Sequence, residues 1–412
     1  MEKAKNLKDV YNLFDPMVPL RGEYLKAFYV DIRPTLFYGL KNSIQISESP
    51  DKILLSGYKG CGKSTELNRL CEDKDIKERF IPIKFSIKDK LDLFDFDYKD
   101  LLVVVSAEIY NVLKANGIQM DQDILEEIRR WASKIEIINM KTTTAGVDAG
   151  TLLDFIFGKI GGWMKVEDST RTEIRTSISQ NVSNLIDIIN RMLTYIKERK
   201  NVKPVLLVIE DLDKLPIESA TKLFFSNILP FLQLNCKIVF TFPFALMVST
   251  EWGIISKTFR KPIILPNITI HDKTGKVNDD AYRIMKEIFY KRSIESLITE
   301  RAINNCIRYS GGVVFDFIRI ISESANVAMV KGKEKIEEDD VEKVVISMRD
   351  DYAFLTEEHI SKLNEIYKKK VARGEEENNL IRDLIASLSI IKYYNSEEWF
   401  DIHPLTEHLV NR

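Results

Sequence analysis

The sequence predicts an α/β fold built on a mainly parallel sheet, and three observations predict it. A short apolar run, Ile53-Leu54-Leu55, leads through a glycine-rich turn into an amphipathic helix. A second run, from Val205 to Ile209, ends abruptly in the acids Glu210 and Asp211. A third, from Lys237 to Thr241, ends in a polar residue. Short β-forming runs that alternate with helical periodicity are the mark of buried parallel strands joined by helical crossovers.

Composition agrees with a folded chain. Of 412 residues 45% are hydrophobic and 30% charged, enough for a core and too apolar for a mostly disordered protein. At roughly 150 residues per domain the length suggests two to three domains. Sixty basic against 62 acidic residues exclude the global basic field of a wrapping DNA binder, although not a local patch. The four cysteines, Cys61, Cys71, Cys236 and Cys306, form no CxxC pair, and there are only four histidines, which argues against a zinc site. This cysteine usage fits a reducing cytoplasm. The charged N-terminus carries no signal-like apolar core. The stretches Leu101–Val105, Thr151–Met164 and Val205–Ile209 are too short or too interrupted to span a bilayer. A cytoplasmic protein without a membrane segment is the expectation.

Residues 1–50 read as a segment leading into a core at 51–270. Within it, Gly57-Tyr58-Lys59-Gly60-Cys61-Gly62-Lys63-Ser64 satisfies GxxxxGK[ST] at every position, between a strand and a helix bearing Leu67, Leu70 and Cys71. Glycines let successive N–H groups turn toward phosphate oxygens, and the helix adds its N-terminal partial positive charge. These residues and Thr65 are the expected nucleotide site. Lys63 would reach the β and γ phosphates, and the Ser64 hydroxyl would ligate Mg²⁺. ATP and Mg²⁺ are the expected cofactors.

Hydrolysis needs carboxylates beyond the loop. The strand ending in Glu210-Asp211 offers Glu210 as the Mg²⁺-side acid and Asp211 as catalytic base; a one-residue shift of these roles, onto Asp211 and Asp213, is the alternative. Such a dyad argues against a small-molecule kinase. The two motifs stand about 145 residues apart. After a second strand, Phe80–Phe85, an insertion at about 88–200 must fill the gap. It holds helices at Lys99–Asn116 and Asp121–Ile135, a Thr/Gly-rich stretch at Lys141–Gly162, and one long helix over Arg171–Arg199. The apolar face of that helix (Ile174, Ile178, Val182, Leu185, Ile189, Leu193 and Ile196) packs on the core or meets a partner.

The run GYKGCGKSTELNRL, the insertion, VLLVIEDLDKL and IVFTFPFAL together resemble AAA+ ATPases, near the origin-recognition-type and STAND or KAP-like regulatory proteins. The resemblance covers the chain from about Phe14 onward. It implies that Thr241 is a sensor 1 residue near the γ-phosphate, although a threonine is also favoured in any strand. It implies that Arg260, or less strongly Lys257, is an arginine finger for a neighbouring subunit, the alternative being a surface salt bridge. A helical lid is implied at 278–350. Its Ser310-Gly311-Gly312 turn resembles the sensor 2 motif, but Phe315 stands where the family has arginine, leaving the role lost or passed to Arg319.

Residues 353–412 read as two helices and a hairpin, Ile390–Tyr394 and Glu397–Ile402 about an Asn395-Ser396 turn, resembling a winged-helix domain. The segment has eight Lys or Arg against eleven Asp or Glu, net −3, and only Lys368, Lys369, Lys370 and Arg373 cluster. That favours protein or intramolecular contacts over DNA, which needs phosphate-neutralising cations on one face. His403 and His408 read as structural.

The function implied is a Mg²⁺-dependent ATPase acting as a switch or motor. It would be a homo-oligomer with an effector partner, plausibly in antiviral defence or mobile-element biology. A DNA-binding scaffold or loader with little turnover is the second reading, and a pseudo-ATPase the third. ATP over GTP follows from the resemblance, since no NKxD follows the acidic strand.

Overall fold

A computed structural model describes residues 1–118, 120–134, 168–199, 202–260, 262–372, 378–395 and 397–410. Five parallel strands form the central sheet: β1 (Lys52–Gly57), β2 (Ile81–Ser86), β3 (Val205–Glu210), β4 (Lys237–Pro243) and β5 (Ile263–Leu265). Their order is β2-β3-β4-β1-β5. The expected strands are therefore present within a residue or two at each end.

Every residue of β1, β3 and β4 is buried, which is why these segments read as unbroken apolar runs. The chain opens with the helices α1 (Leu7–Leu13), α2 (Gly22–Phe28), α3 (Pro34–Ile46) and, after β1, α4 (Lys63–Glu72). The two faces of β3 enter different cores. Val205, Leu207 and Ile209 pack with the insertion helices, while Leu206 and Val208 pack with α3 and α4. Register fixes the site: Leu55 lies opposite Thr241, and Ile209 opposite Phe240. The strand carrying Thr241 thus runs between the loop strand and the acid strand, and all three end at the same sheet edge.

In the insertion, the helices Tyr98–Ala115 and Gln122–Lys134 match the expected ones. The Lys141–Gly162 and Thr151–Met164 stretches lie outside the described residues. The single helix expected over Arg171–Arg199 is two, Asp168–Gln180 and Val182–Glu198. Asn181 interrupts them, its side-chain amide donating to the Ser177 carbonyl at 2.9 Å and so competing with the helical ladder. The apolar stripe itself is buried against the sheet, with Ile178, Leu185, Ile189 and Ile196 in its core.

The helices Asp279–Arg292, Glu300–Ser310, Val314–Val330 and Glu338–Arg349 enclose a second core. Ala4, Leu7, Val10 and Phe14 are buried in it, and Ser322 Oγ donates to the Tyr11 carbonyl at 3.1 Å. The first fourteen residues therefore pack with these four helices rather than with the sheet, and α3 is the part of 1–50 that joins the sheet.

The C-terminal helices Glu357–Lys369 and Asn378–Ala386 precede an antiparallel hairpin, β6 (Ile390–Asn395) and β7 (Glu397–Ile402). Ser396, in the expected turn, lies outside the described residues. Leu363, Ile366, Ile381 and Leu384 share one apolar cluster with β1, α3 and α4, so this segment is packed onto the sheet. Among the described residues no helix is long and apolar enough to cross a membrane.

Candidate active site

The loop between β1 and α4 takes the conformation its glycines permit. Gly57 has φ +151°, and a Cβ there would lie 2.6 Å from the Leu265 carbonyl oxygen. Gly60 has φ +82°, and a Cβ would lie 2.5 Å from Phe315 Cβ. Both positions exclude a side chain, the first because of β5 and the second because of the helix Val314–Val330. Tyr58 and Cys61 are buried and Lys59 is exposed. Thr65 Oγ1 accepts the Leu20 N–H at 3.2 Å, which ties the N-terminal segment to the first turn of α4. Ser64 lies in that turn, half-buried.

Lys63 is buried, and its ammonium donates to the carbonyls of Gly57 and Tyr58, each at 2.8 Å, and pairs with Asp213 Oδ2 at 3.0 Å. Burial alone would pull its pKa down, but Asp213, Cys61 and Asp211 outweigh it and the net shift is upward. Lys63 is therefore a fixed cation.

The carboxylates after β3 each have a lysine. Glu210 is 5% exposed and one of its oxygens pairs with Lys84, from β2. Its Oε1 is buried without a hydrogen-bond partner among the described residues. An orphaned buried carboxylate oxygen is costly unless something satisfies it. That oxygen and the Ser64 hydroxyl on α4 are both donors of the hard oxygen type that Mg²⁺ takes.

Asp211 has a left-handed backbone, φ 69°, which a non-glycine residue adopts at some cost. Its Oδ2 accepts from Ser86 Oγ at 2.5 Å, and its Oδ1 pairs with Lys214 at 2.6 Å. Burial raises its pKa, but the Lys214 and Ser86 hydrogen bonds prevail and hold it below the usual carboxylate range. Thr241, 1% exposed, accepts the Leu212 N–H at 2.9 Å through Oγ1 and so fixes the turn that carries Asp211 and Asp213.

Lys63, Glu210, Asp211 and Thr241 thus meet at one sheet edge, and Asp213, weighed in the sequence only as a shifted alternative, is the acid in contact with the loop lysine. Arg260 is elsewhere. It precedes β5, at the opposite sheet edge, and pairs through Nε with Asp51 Oδ1 at 3.1 Å. It does not join its own chain's site.

Phe315, expected to stand where the resembled family has arginine, donates its backbone N–H to the Gly60 carbonyl at 3.1 Å. Arg319 does not take over that contact within the described geometry; its guanidinium pairs with Asp351 at 2.6 Å, inside the helical segment. Lys84, Ser86 and Lys214 were missed by the sequence reading. A lysine inside the otherwise β-forming run IPIKFS was the available signal. Also missed was Arg33, 8% exposed, whose Nε donates to the Pro266 carbonyl at 2.7 Å and whose two Nη atoms have no partner among the described residues.

The basic cluster at the C-terminus is largely engaged. Lys369 pairs with Glu365 at 2.9 Å and Lys370 with Asp401 at 2.6 Å, and Arg373 lies outside the described residues. His403, just after β7, is buried with Nε2 3.2 Å from Asp316 Oδ2 on the helix Val314–Val330, a structural contact.

No protein-family model and no curated protein matches the chain. Solved structures do. The chain is similar to the Aeropyrum pernix ORC2 protein, solved as ADPNP–ADP complexes, at 11% identity over 97% of this chain and 95% of that one, with a TM-score of 0.47. It is similar to the Aeropyrum pernix ORC1 protein in complex with DNA, at 11% identity over 97% and 96%, with a TM-score of 0.45. The Thermotoga maritima RuvB Holliday junction branch migration motor is a further likeness, at 13% identity over 94% of each chain and a TM-score of 0.38.

Proposed function

We propose that the chain is a Mg²⁺-dependent ATPase, converting ATP to ADP and phosphate, that works as an AAA+-like switch or motor. The observation that carries this reading is the convergence of Lys63, Glu210, Asp211 and Thr241 at one sheet edge beside a loop in which Gly57 and Gly60 leave no room for side chains. Loop amides and Lys63 would bind the phosphates. Ser64 and Glu210 would hold Mg²⁺, which when bound neutralises charge on the phosphoryl oxygens. Asp211 stays ionised near neutral pH and would take the proton of the attacking water. To do so it must give up part of its hold on Ser86 or Lys214.

Assembly into a homo-oligomer, Arg260 as a finger toward a neighbour, an effector partner and a place in antiviral defence complete the proposal; their support is the family resemblance alone. DNA contact through the C-terminal segment is the second reading. The ion pairs of Lys369 and Lys370 weigh against it, since DNA phosphates would have to compete with Glu365 and Asp401.

The test is steady-state ATP hydrolysis by the wild type and Asp211→Asn across protein concentration, with and without duplex DNA. Specific activity that rises with concentration and falls about 10²–10⁴-fold in the variant supports the reading. Stimulation by DNA would promote the loader, and no turnover under any condition would leave a nucleotide-binding scaffold.

A further inference from the structure

An ammonium has three N–H donors, and those of Lys63 are committed to the Gly57 carbonyl, the Tyr58 carbonyl and the Asp213 carboxylate. The first two acceptors are backbone atoms at the end of β1, whose course is set by pairing with β4 and β5. Only the third sits on a side chain that can rotate away. It is also the only one with a full negative charge, 11% exposed against a lysine that is 7% exposed, where a charge-assisted hydrogen bond is strong.

The turn holding Asp213 is stiff. It starts at the left-handed Asp211, and the Leu212 N–H is bound to Thr241, so the carboxylate is presented to the loop by backbone geometry. Glu210 and Asp211 have cations of their own in Lys84 and Lys214; Asp211 adds to the field that keeps Lys63 charged, but Asp213 is the acid in contact with its ammonium.

We propose that Asp213 is an internal competitor for the phosphate groups and sets how tightly the loop holds a nucleoside diphosphate. The inference rests on the nucleotide-binding reading of the loop. A phosphate oxygen reaches Lys63 by displacing the Asp213 carboxylate, which must then find water or another donor. Asp213 is thus an affinity-determining residue acting through Lys63. Removing its charge strengthens ligand binding, whereas removing a merely structural acid weakens it.

The experiment is isothermal titration of the full chain with ADP in EDTA, for the wild type, Asp213→Asn, Lys63→Ala and the double variant. Asp213→Asn is expected to bind ADP about 10-fold tighter, the scale of one charge-assisted hydrogen bond. The gain disappears in the Lys63→Ala background. Wild type that binds ADP beside an Asp213→Asn that binds equally or more weakly overturns the proposal and leaves the nucleotide reading intact. Wild type that does not bind ADP overturns both. Thermal melts accompany the titration: Asp213→Asn melts below wild type without ADP, and ADP raises its melting temperature by more. If the asparagine variant does not fold, Asp213→Ser makes the same test.

Discussion

The Tyr58 hydroxyl accepts the backbone N–H of Lys392 at 2.9 Å, across 334 residues of sequence. The ring packs on Phe244 with centroids 4.5 Å apart, so the second residue of the phosphate loop is gripped by the C-terminal hairpin on one side and the end of β4 on the other. Tyr58→Phe keeps the packing and leaves the Lys392 amide unpaired. It is expected to lower stability by about 1–3 kcal/mol, read by denaturant unfolding. Amide exchange at Lys392 should quicken while ADP affinity stays within a few-fold.

Gly60→Ala meets two obstacles, a left-handed backbone and Phe315 Cβ at 2.5 Å from the new methyl group. The expected cost is about 1–3 kcal/mol for the backbone alone. Phe315→Ala keeps the clashing Cβ and should not relieve the strain, whereas Phe315→Gly removes it, so Gly60→Ala should cost less stability in the Phe315→Gly background than in the wild type, read by melts of the four chains.

Thr241→Val removes the acceptor of the buried Leu212 N–H and frees the acidic turn. Stability should fall by about 1–3 kcal/mol, whereas Thr241→Ser should stay near wild type. In the ATPase assay the valine variant loses turnover more than nucleotide affinity, because the turn positions acids and the loop binds phosphate.

Asp211 titrates lower in the folded chain than unfolded, chiefly because the Lys214 and Ser86 hydrogen bonds overcome burial. Between the two values the unfolded chain binds more protons, so stability rises with pH there. The contribution is complete above the unfolded value near pH ~3.9 and vanishes as pH falls through the folded one. Asp211→Asn should flatten this acid limb in a series of melts between about pH 2 and 5, and leave the neutral-to-alkaline limb unchanged.

Arg260 pairs with Asp51 while its side chain stays 58% exposed. Arg260→Ala should therefore shift stability by no more than about 1 kcal/mol. If the residue serves a neighbouring subunit, turnover drops about 10³-fold or more, and mixing with Asp211→Asn subunits restores part of it. Unchanged turnover would reduce Arg260 to a surface ion pair.

Local chemistry made the loop, the acidic strand and the strand ending in Thr241 legible, since each is a few consecutive residues whose meaning needs no partner. The pairings were not legible. That Lys84 reaches Glu210 depends on the β2–β3 register, in which Ser86 lies opposite Glu210, and nothing in either segment announces the other. Asp213 against Lys63 depends on a left-handed Asp211 that redirects the chain by one residue. The break at Asn181 was hidden because Ile178, Val182 and Leu185 keep helical spacing straight across it. Phe315 was noticed as a departure from a motif, but its role as the residue seated on Gly60 needed the fold.

The grip on Tyr58 and Gly60 also orders events during synthesis. Lys63 and Ser64 leave the ribosome long before Phe315 and Lys392 exist, and at about 5–20 residues per second the interval is on the order of tens of seconds. Through it the nascent chain owns a phosphate loop without its roof. Its first helix, α1 (Leu7–Leu13), likewise waits for the helices at 279–349 that bury Leu7 and Val10. Contacts that join the start of a chain to its far end close last and fold slowly. The loop therefore reaches its final shape only when the chain through Lys392 is present, and a nascent chain stalled before Lys392 would carry the motif without the hairpin contact that holds it.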